Sequence, residues 1–555
     1  MDYKRFRIPF RDVKLTESEV AITQTRTFQR LFYLKQLGLV YLVYPCATHT
    51  RAGHSIECLD EANNLLASIG LREGSDWEEV RIAALLHDIG HVPFSHTLED
   101  ENLVLPNHDK KERVMQVLEK IKSEVDNQTR SMIERATPIL LAISSTDERQ
   151  RDWRSDLVGN TVCADLLAYI KTDAAWTGIE KVAGYYRVYE YFKLEEKPLG
   201  DQTSKKRLCI CLTKGGLRTD IVSSIIDLLD MRYALTERVI FHHAKAIASA
   251  MLARITRLVN LQYSSELLDM GDEVFLDHLD HLIAKHGDNE SKNGAKMLLD
   301  HLRCRQLYKR VFKIQRQAME EWDRNNSKTD NDTFSVLWRD PYRIEQLLLK
   351  IEARVKLPRG SLVLWCPEAQ SGMKLAKVNV IWEQSSGGWH SPVELRSAEL
   401  KQQFPGVHER VDTIEKQYLD LWKFWVGLCP EQIDKTQDVI NALEDELNIK
   451  CDSVFIETYL KKRLPGYKDR AKLDNKVEIL WRTEYKQDVA DSIMNIAARD
   501  NKKPINPVTI NEAIHMVSEE KRSLALKKYD EEHSGQLDLF KSAQSQKPRE
   551  DNLKK

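Results

Sequence analysis

Apolar side chains recur every three to four positions through most of the first 330 residues, the period of helices that bury one face. Thr27 to Leu37 places Phe28, Leu31 and Leu34 on one stripe, and Ser55 to Ile69 does the same with Ile56, Leu59, Leu65, Leu66 and Ile69. A further helix is predicted from Ser75 and Asp76, taken as N-caps, through Val80, Ala83, Ala84 and Leu85 to Asp88, with Gly90 at its stop. The period changes to two in Arg207 to Thr213, which meets Gly215-Gly216 and predicts a short hairpin near 207–216. Ser361 to Trp365 and Ala376 to Trp382 read as two strands of one small unit, and Val407 to Leu428 as a long helix.

These elements predict a mainly α protein with a large helical core and a small α+β region C-terminal to it. The polar stretch Asp323 to Asp332 marks the linker. The expected organisation is a helical domain over 1–330, an α+β regulatory or oligomerisation region over 331–530, and a polar tail over 531–555.

Composition narrows the class. Hydrophobic residues are 42% and charged residues 30%, as in a folded water-soluble protein. With 83 Lys+Arg against 85 Asp+Glu, the net charge of -2 exerts no overall pull on nucleic acid or anionic lipid. Nine cysteines without a CxxC pair read as reduced thiols. The opening MDYKRFRIPFRD lacks the apolar stretch of a secretory signal, and no run is long enough to span a bilayer. A cytoplasmic protein without membrane contact is expected.

The chemistry concentrates in Leu85-Leu86-His87-Asp88-Ile89-Gly90-His91-Val92-Pro93-Phe94-Ser95-His96. Imidazole and carboxylate side by side after an apolar run form a set that borderline and hard divalent metals accept together. Two ligands do not complete a site. His54, opening the Ser55 helix, is the best upstream partner. Asp165 is the best downstream one, an acid isolated among Val162, Leu166 and Tyr169.

The order His54, His87-Asp88, Asp165 resembles the H…HD…D signature of the HD metal-dependent phosphohydrolases. PCATHTRAGHS, ALLHDIGHVPFSH and ADLLAYIKTDA, together with FQRLFYLKQLG and MRYALTERVIFHHAK, resemble the deoxynucleoside triphosphate triphosphohydrolases, the dGTPase-like and SAM-and-HD-domain branch. The resemblance runs from Thr25 to Lys245. It implies hydrolysis of a dNTP, dGTP by default, to deoxynucleoside and triphosphate, in pool control or in depletion of dNTPs during phage infection. It implies that His54, His87, Asp88 and Asp165 hold a divalent metal, Mg2+ or Mn2+ first and Fe, Zn, Co or Ni as alternatives. His91 and His108 match catalytic histidines, with Asp109 holding His108 in one tautomer. Gln36 and Leu37 match positions at the deoxyribose, Arg51 and Arg232 at the triphosphate, His96 at the site wall, and Tyr169 and Asp173 near the sugar.

The resemblance also implies a homo-oligomer with nucleotide effector sites, for which His242 and Lys245 are the candidates here. Departures are Leu166 in place of a phosphate-binding lysine, Ile240 in place of a tyrosine, and Phe32 and Gln24 in place of an arginine and an acid that bind activating guanine nucleotide in animal relatives. Lys205-Lys206 and Lys461-Lys462-Arg463 read as solvated faces, with single-stranded nucleic acid as the other reading. Two alternatives stay open: an HD phosphodiesterase or nuclease, and a nucleotide-sensing subunit that works with a partner protein.

Overall fold

In the computed structural model of the chain, the described residues are 4–460 without 10, 100, 146, 180–184, 200–202 and 369–377. They are mainly helical, as the periodicity predicts. Met1–Asp452 form one unit. Of the second unit, Ser453–Lys555, only a short helix, Ser453–Phe455, and one π turn, Ile456–Leu460, are described. The 531–555 tail and the Lys461-Lys462-Arg463 cluster lie outside the described residues.

Helix α1 (Arg51–Ser68) starts at Thr50, whose hydroxyl caps the Gly53 N–H at 3.3 Å. Helix α2 (Ser75–Leu86) begins one residue earlier than the Ser/Asp pattern suggests, behind Gly74 at φ 97°. It stops at Leu86, so His87 and Asp88 lie on the turn beyond its end. Helix α3 (Lys111–Glu124) follows the loop that bears His108. Helix α4 (Ala164–Thr177) ends on Gly178, a left-handed C-cap at φ 70°. Helices α1 and α2 pack together, α4 packs on α1, and α5 (Thr219–Leu235) packs on α4. Helix α6 (His243–Leu258) is buried almost along its whole length.

The strands depart from the expected pairing. Strands β1 (Lys4–Ile8) and β2 (Arg11–Leu15) form an N-terminal antiparallel pair. The alternating segment is strand β4 (Ser204–Cys211), but its antiparallel partner is upstream, β3 (Phe192–Pro198). Only an isolated Thr213–Leu217 bridge forms at the Gly-Gly turn, so the hairpin near 207–216 is not there. The other edge of β4 runs parallel to β7 (Asn379–Ile381), which pairs in turn with β8 (Val393–Glu394). Strand β6 (Leu362–Trp365) lies instead in a second sheet ordered β5-β9-β6, with β5 spanning Lys309–Gln315 and β9 Lys423–Leu428. The two strands expected to form one small unit therefore belong to different sheets, and both sheets join strands from either side of residue 330.

The long helix expected over Val407 to Leu428 is a helix only over Pro405–Leu419. Phe424, Trp425 and Val426 fit a buried pleated surface better than a helix, and they sit in the central strand of the second sheet. The expected linker starts inside a helix, Arg316–Asn326, and closes on a turn where Asp332 accepts the Thr329 N–H at 2.8 Å. The Thr27 to Leu37 stripe is helical for only a turn, Arg26–Gln29, before a 3-10 turn, Arg30–Tyr33. Beyond it Lys35 bridges to Thr50. No helix among the described residues is long and apolar enough to cross a membrane.

Candidate active site

The end of α2 and the first turns of α1 and α4 bring four side chains to one point. His54 Nε2 lies 3.3 Å from His87 Nε2 and 3.1 Å from Asp165 Oδ1. His87 Nε2 is 3.6 Å from Asp165 Oδ1 and 3.5 Å from Asp88 Oδ1, and Asp88 Oδ2 is 3.8 Å from His54. The Ala84 carbonyl accepts from His87 Nδ1 at 2.7 Å, which turns Nε2 inward. His54, His87 and Asp165 bring their ligand atoms within 4.8 Å of one another, a donor set that fits one divalent ion, and Asp88 adjoins it beside both histidines. Cys58 adjoins His87, and burial pushes its thiol up to about 12. Burial alone would raise Asp88 and Asp165. The adjoining His87 and Arg51 hold Asp88 well below the usual carboxylate range, and His54 and His87 do the same for Asp165.

Beside this cluster lies a second one. His91 is completely buried, and its ring stacks on that of His108 at 3.6 Å between centroids. Glu99 Oε2 faces both rings, 3.0 Å from His108 Nδ1 and 3.3 Å from His91 Nδ1. Its other oxygen accepts from Arg113 at 2.6 Å. His96 meets both rings edge-on. Burial, with the positive Arg51 nearby, pushes His91 and His108 down to about 3, so both imidazoles are neutral here. The carboxylate that orients His108 is thus Glu99. Asp109, expected in that role, has no hydrogen bond to the ring among the described residues, because its backbone turns into α3 while Glu99 faces the stack from across the loop. Glu99 carries no motif signal of its own, being one acid in a run of three, Glu99-Asp100-Glu101.

Both clusters open into a cavity of about 380 Å³. Gln36, Leu37, Arg51, His96, Tyr169, Asp173 and Arg232, all predicted to meet substrate, line it together with Asp88, His108 and Asp165. Arg51 is buried against Asp88, donates to Ser95 Oγ at 2.5 Å and reaches the Gln36 carbonyl at 3.4 Å. Gln36 is fixed from behind, since its N–H donates to the His49 carbonyl at 2.9 Å. His49 Nε2 lies 2.8 Å from Asp173 Oδ1, a pairing not legible in the sequence. Burial would lower the Arg232 guanidinium, but Tyr169 and Tyr418 beside it raise it. Leu166 and Ile240, the two departures, also face the cavity.

One residue far along the chain ties this wall together. Asp272 is fully buried and accepts from the backbone N–H of Lys35 at 2.9 Å and of Phe94 at 2.7 Å. It thereby joins the Gln36 turn to the His96 turn. Phe94 and Ser95 are both left-handed, at φ 58° and 50°, a strained pair that Asp272 and Arg51 hold in place.

The effector candidates separate. Lys245 is buried in the wall of the same cavity, paired with Glu101. His242 is outside it, capping α6 by accepting from Ala244 N–H at 3.3 Å. Phe32 lines a second cavity of about 500 Å³ with Gln29, Arg26 and Lys35, while Gln24 is exposed and not part of that lining.

Comparison with known proteins agrees with this geometry. The HD domain model matches residues 51–148, the stretch from Arg51 through both histidine clusters. An uncharacterised protein of Methanocaldococcus jannaschii is 49% identical over 89 residues, 16% of this chain and 19% of that protein. A deoxynucleoside triphosphate triphosphohydrolase homologue of Dictyostelium discoideum is 27% identical, covering 52% of this chain and 56% of that protein. The deoxynucleoside triphosphate triphosphohydrolase of Gallus gallus is 22% identical over 65% of this chain and 66% of its own length. The chain therefore spans from about a fifth to about two-thirds of the length of these curated relatives. A phosphohydrolase structure from Bacteroides thetaiotaomicron shares the fold, with a TM-score of 0.52 and 18% identity over 77% of this chain and all of that one.

Proposed function

We propose that this HD-domain protein is a metal-dependent hydrolase of deoxynucleoside triphosphates that separates the deoxynucleoside from intact triphosphate, with dGTP as the leading substrate. The observation that carries the reading is the cavity that a His/Asp cluster able to hold a metal reaches through Asp88 and Asp165, and that every residue expected to touch a dNTP also lines. The relatives named as dNTP triphosphohydrolases support it, since their similarity extends well beyond the HD segment.

His54, His87, Asp88 and Asp165 would hold the ion. Their mixed imidazole and carboxylate set suits Mn2+ or Fe2+ better than Mg2+, which prefers oxygen ligands. Such an ion supplies Lewis acidity at the α-phosphoryl group. In the reaction, water adds to the α-phosphorus, the bond to the 5′ oxygen breaks, and that oxygen takes a proton. Arg51 and Arg232 are the fixed cations for the phosphates, and their guanidinium forks match phosphoryl oxygens. Glu99 accepts at Nδ1 of His108, which leaves Nε2 of that ring to handle a proton on the side of Asp88 and the cavity, while His91 stacks behind it with its own Nε2 3.5 Å from Asp88. Leu37 and the fixed Gln36 turn close the wall where a 2′ hydroxyl would need room.

The test incubates purified protein with each dNTP and Mn2+ and resolves the products by anion exchange. Inorganic triphosphate with free deoxynucleoside is expected, and a His87→Ala, Asp88→Ala double variant should yield neither product nor bound metal. Release of a nucleoside monophosphate with pyrophosphate, or turnover of GTP as fast as dGTP, would overturn the proposal.

A further inference from the structure

The Glu101–Lys245 pair has no part in the chemistry above, yet both residues face the cavity. Lys245 is buried on the first turn of α6 and spends its charge on one oxygen of Glu101. The other oxygen, Oε2, is buried with no hydrogen-bond partner, and so is Gln36 Oε1 on the neighbouring turn. Unfilled acceptors inside a cavity are costly unless a ligand supplies donors. The surroundings decide which ligand. Phe241 and Trp365, in edge-on contact at 5.4 Å, are part of the same lining, with Val40 and Val239. Aromatic and aliphatic walls suit a planar base. A carboxylate repels phosphate, and the two arginines assigned to the phosphates, Arg51 and Arg232, lie elsewhere in the lining.

Taking the dNTP reading as its basis, the geometry points to Glu101 and Lys245 as the base-selecting residues, specific for guanine. Guanine presents two adjacent N–H donors, at N1 and the 2-amino group, next to the O6 acceptor. Glu101 Oε2 would accept from the donors and Lys245 would donate to O6. Adenine offers neither the paired donors nor a carbonyl. Glu101 is joined to the catalytic wall by its own N–H, which donates to the His96 carbonyl at 3.0 Å, so base recognition and the histidine cluster share one turn.

The experiment measures kcat/KM for dGTP, for deoxyinosine triphosphate, which lacks the 2-amino group, and for dATP. Wild type should favour them in that order. Glu101→Gln should cut dGTP turnover roughly 10- to 100-fold, the range for a lost hydrogen bond to a charged group, and leave dATP little changed. Lys245→Gln should do the same for dGTP and deoxyinosine triphosphate alike. Turnover of dATP serves as the control for folding in both variants. Equal loss on all three substrates, or wild-type rates on deoxyinosine triphosphate equal to those on dGTP, would overturn the inference while leaving the hydrolase intact. No hydrolysis of any dNTP by the metal-loaded wild type would overturn the hydrolase reading and the inference with it.

Discussion

Replacing Gly90 by alanine tests how tightly the two histidine clusters are coupled. The sequence suggests that this glycine ends a helix, but α2 has already ended four residues earlier. Its role is proximity. A Cβ added at Gly90 would lie 2.5 Å from the His108 carbonyl oxygen and 3.3 Å from its carbon, both backbone atoms that cannot swing aside. The His108 loop would have to retreat by roughly 1 Å to restore ordinary contact. That distance is enough to pull the His108 ring off Glu99, from which it is only 3.0 Å away, and off the His91 stack. A misplacement of about 1 Å costs on the order of 10²-fold in rate. Overpacking costs about 1–3 kcal/mol, which leaves a folded protein. The expected result is a kcat on dGTP lowered about 100-fold with bound Mn2+ retained, because only Asp88 of the four proposed ligands is paired with the His108 ring, and at 3.9 Å that contact is loose. The assay is steady-state hydrolysis with metal content by plasma mass spectrometry. An unchanged kcat, or loss of metal along with activity, would refute the reasoning.

Three further outcomes are expected. Glu99→Gln should lower kcat by roughly 10²-fold at constant metal content, since the amide sets an NH2 group against either the His108 ring or Arg113, where both carboxylate oxygens now accept; a change confined to KM would place Glu99 outside the proton chemistry. Asp272→Asn leaves an NH2 group against a backbone donor and should cost about 1–3 kcal/mol in urea unfolding and raise KM for dGTP; unaltered stability would show that the two turns are held otherwise. At Glu148, burial would raise the carboxyl, but Arg207 and Lys197 outweigh it and hold it below its ordinary value of 4.5. A depressed carboxyl stabilises the fold above its unfolded value and loses that contribution as pH falls through the folded one. Glu148→Gln should therefore flatten the acid limb of a pH–stability curve below the ordinary glutamate range, and an identical limb would remove Glu148 from acid unfolding.

The legible part of the site is the part written in local patterns. His87 and Asp88 stand together because a helix end lets neighbours converge, and the apolar runs around them and around Asp165 announce buried polar groups. Glu99 and Asp272 are single acids whose partners lie across loops or far along the chain, Asp272 more than 170 positions from Phe94. No spacing rule reaches that far. Lys245 falls in a segment that the sequence does mark, but only the path of α6 turns it into the cavity. The strands follow the same division. Alternation identifies β4 as extended, yet it carries no record of its partner, and a Gly-Gly turn next to it points to the wrong side. In Val407 to Leu428, a helical stripe continues into residues that a sheet can bury equally well, so periodicity alone misses the switch.

The parallel pairing of β4 with β7 has a consequence for how the protein is made. All four side chains proposed to hold the metal precede residue 166, whereas Trp365 and Pro367 of the cavity wall, and the β7 strand beside β4, emerge from the ribosome some 200 residues later. The helices that carry them can form while the chain is still being synthesised, with the edge of β4 uncovered and the cavity open on one side. Pairing across so long a separation is slow because loop closure must come first. Until then the exposed edge, with Cys209, Ile210 and Cys211 along it, is a surface on which unfinished chains can join.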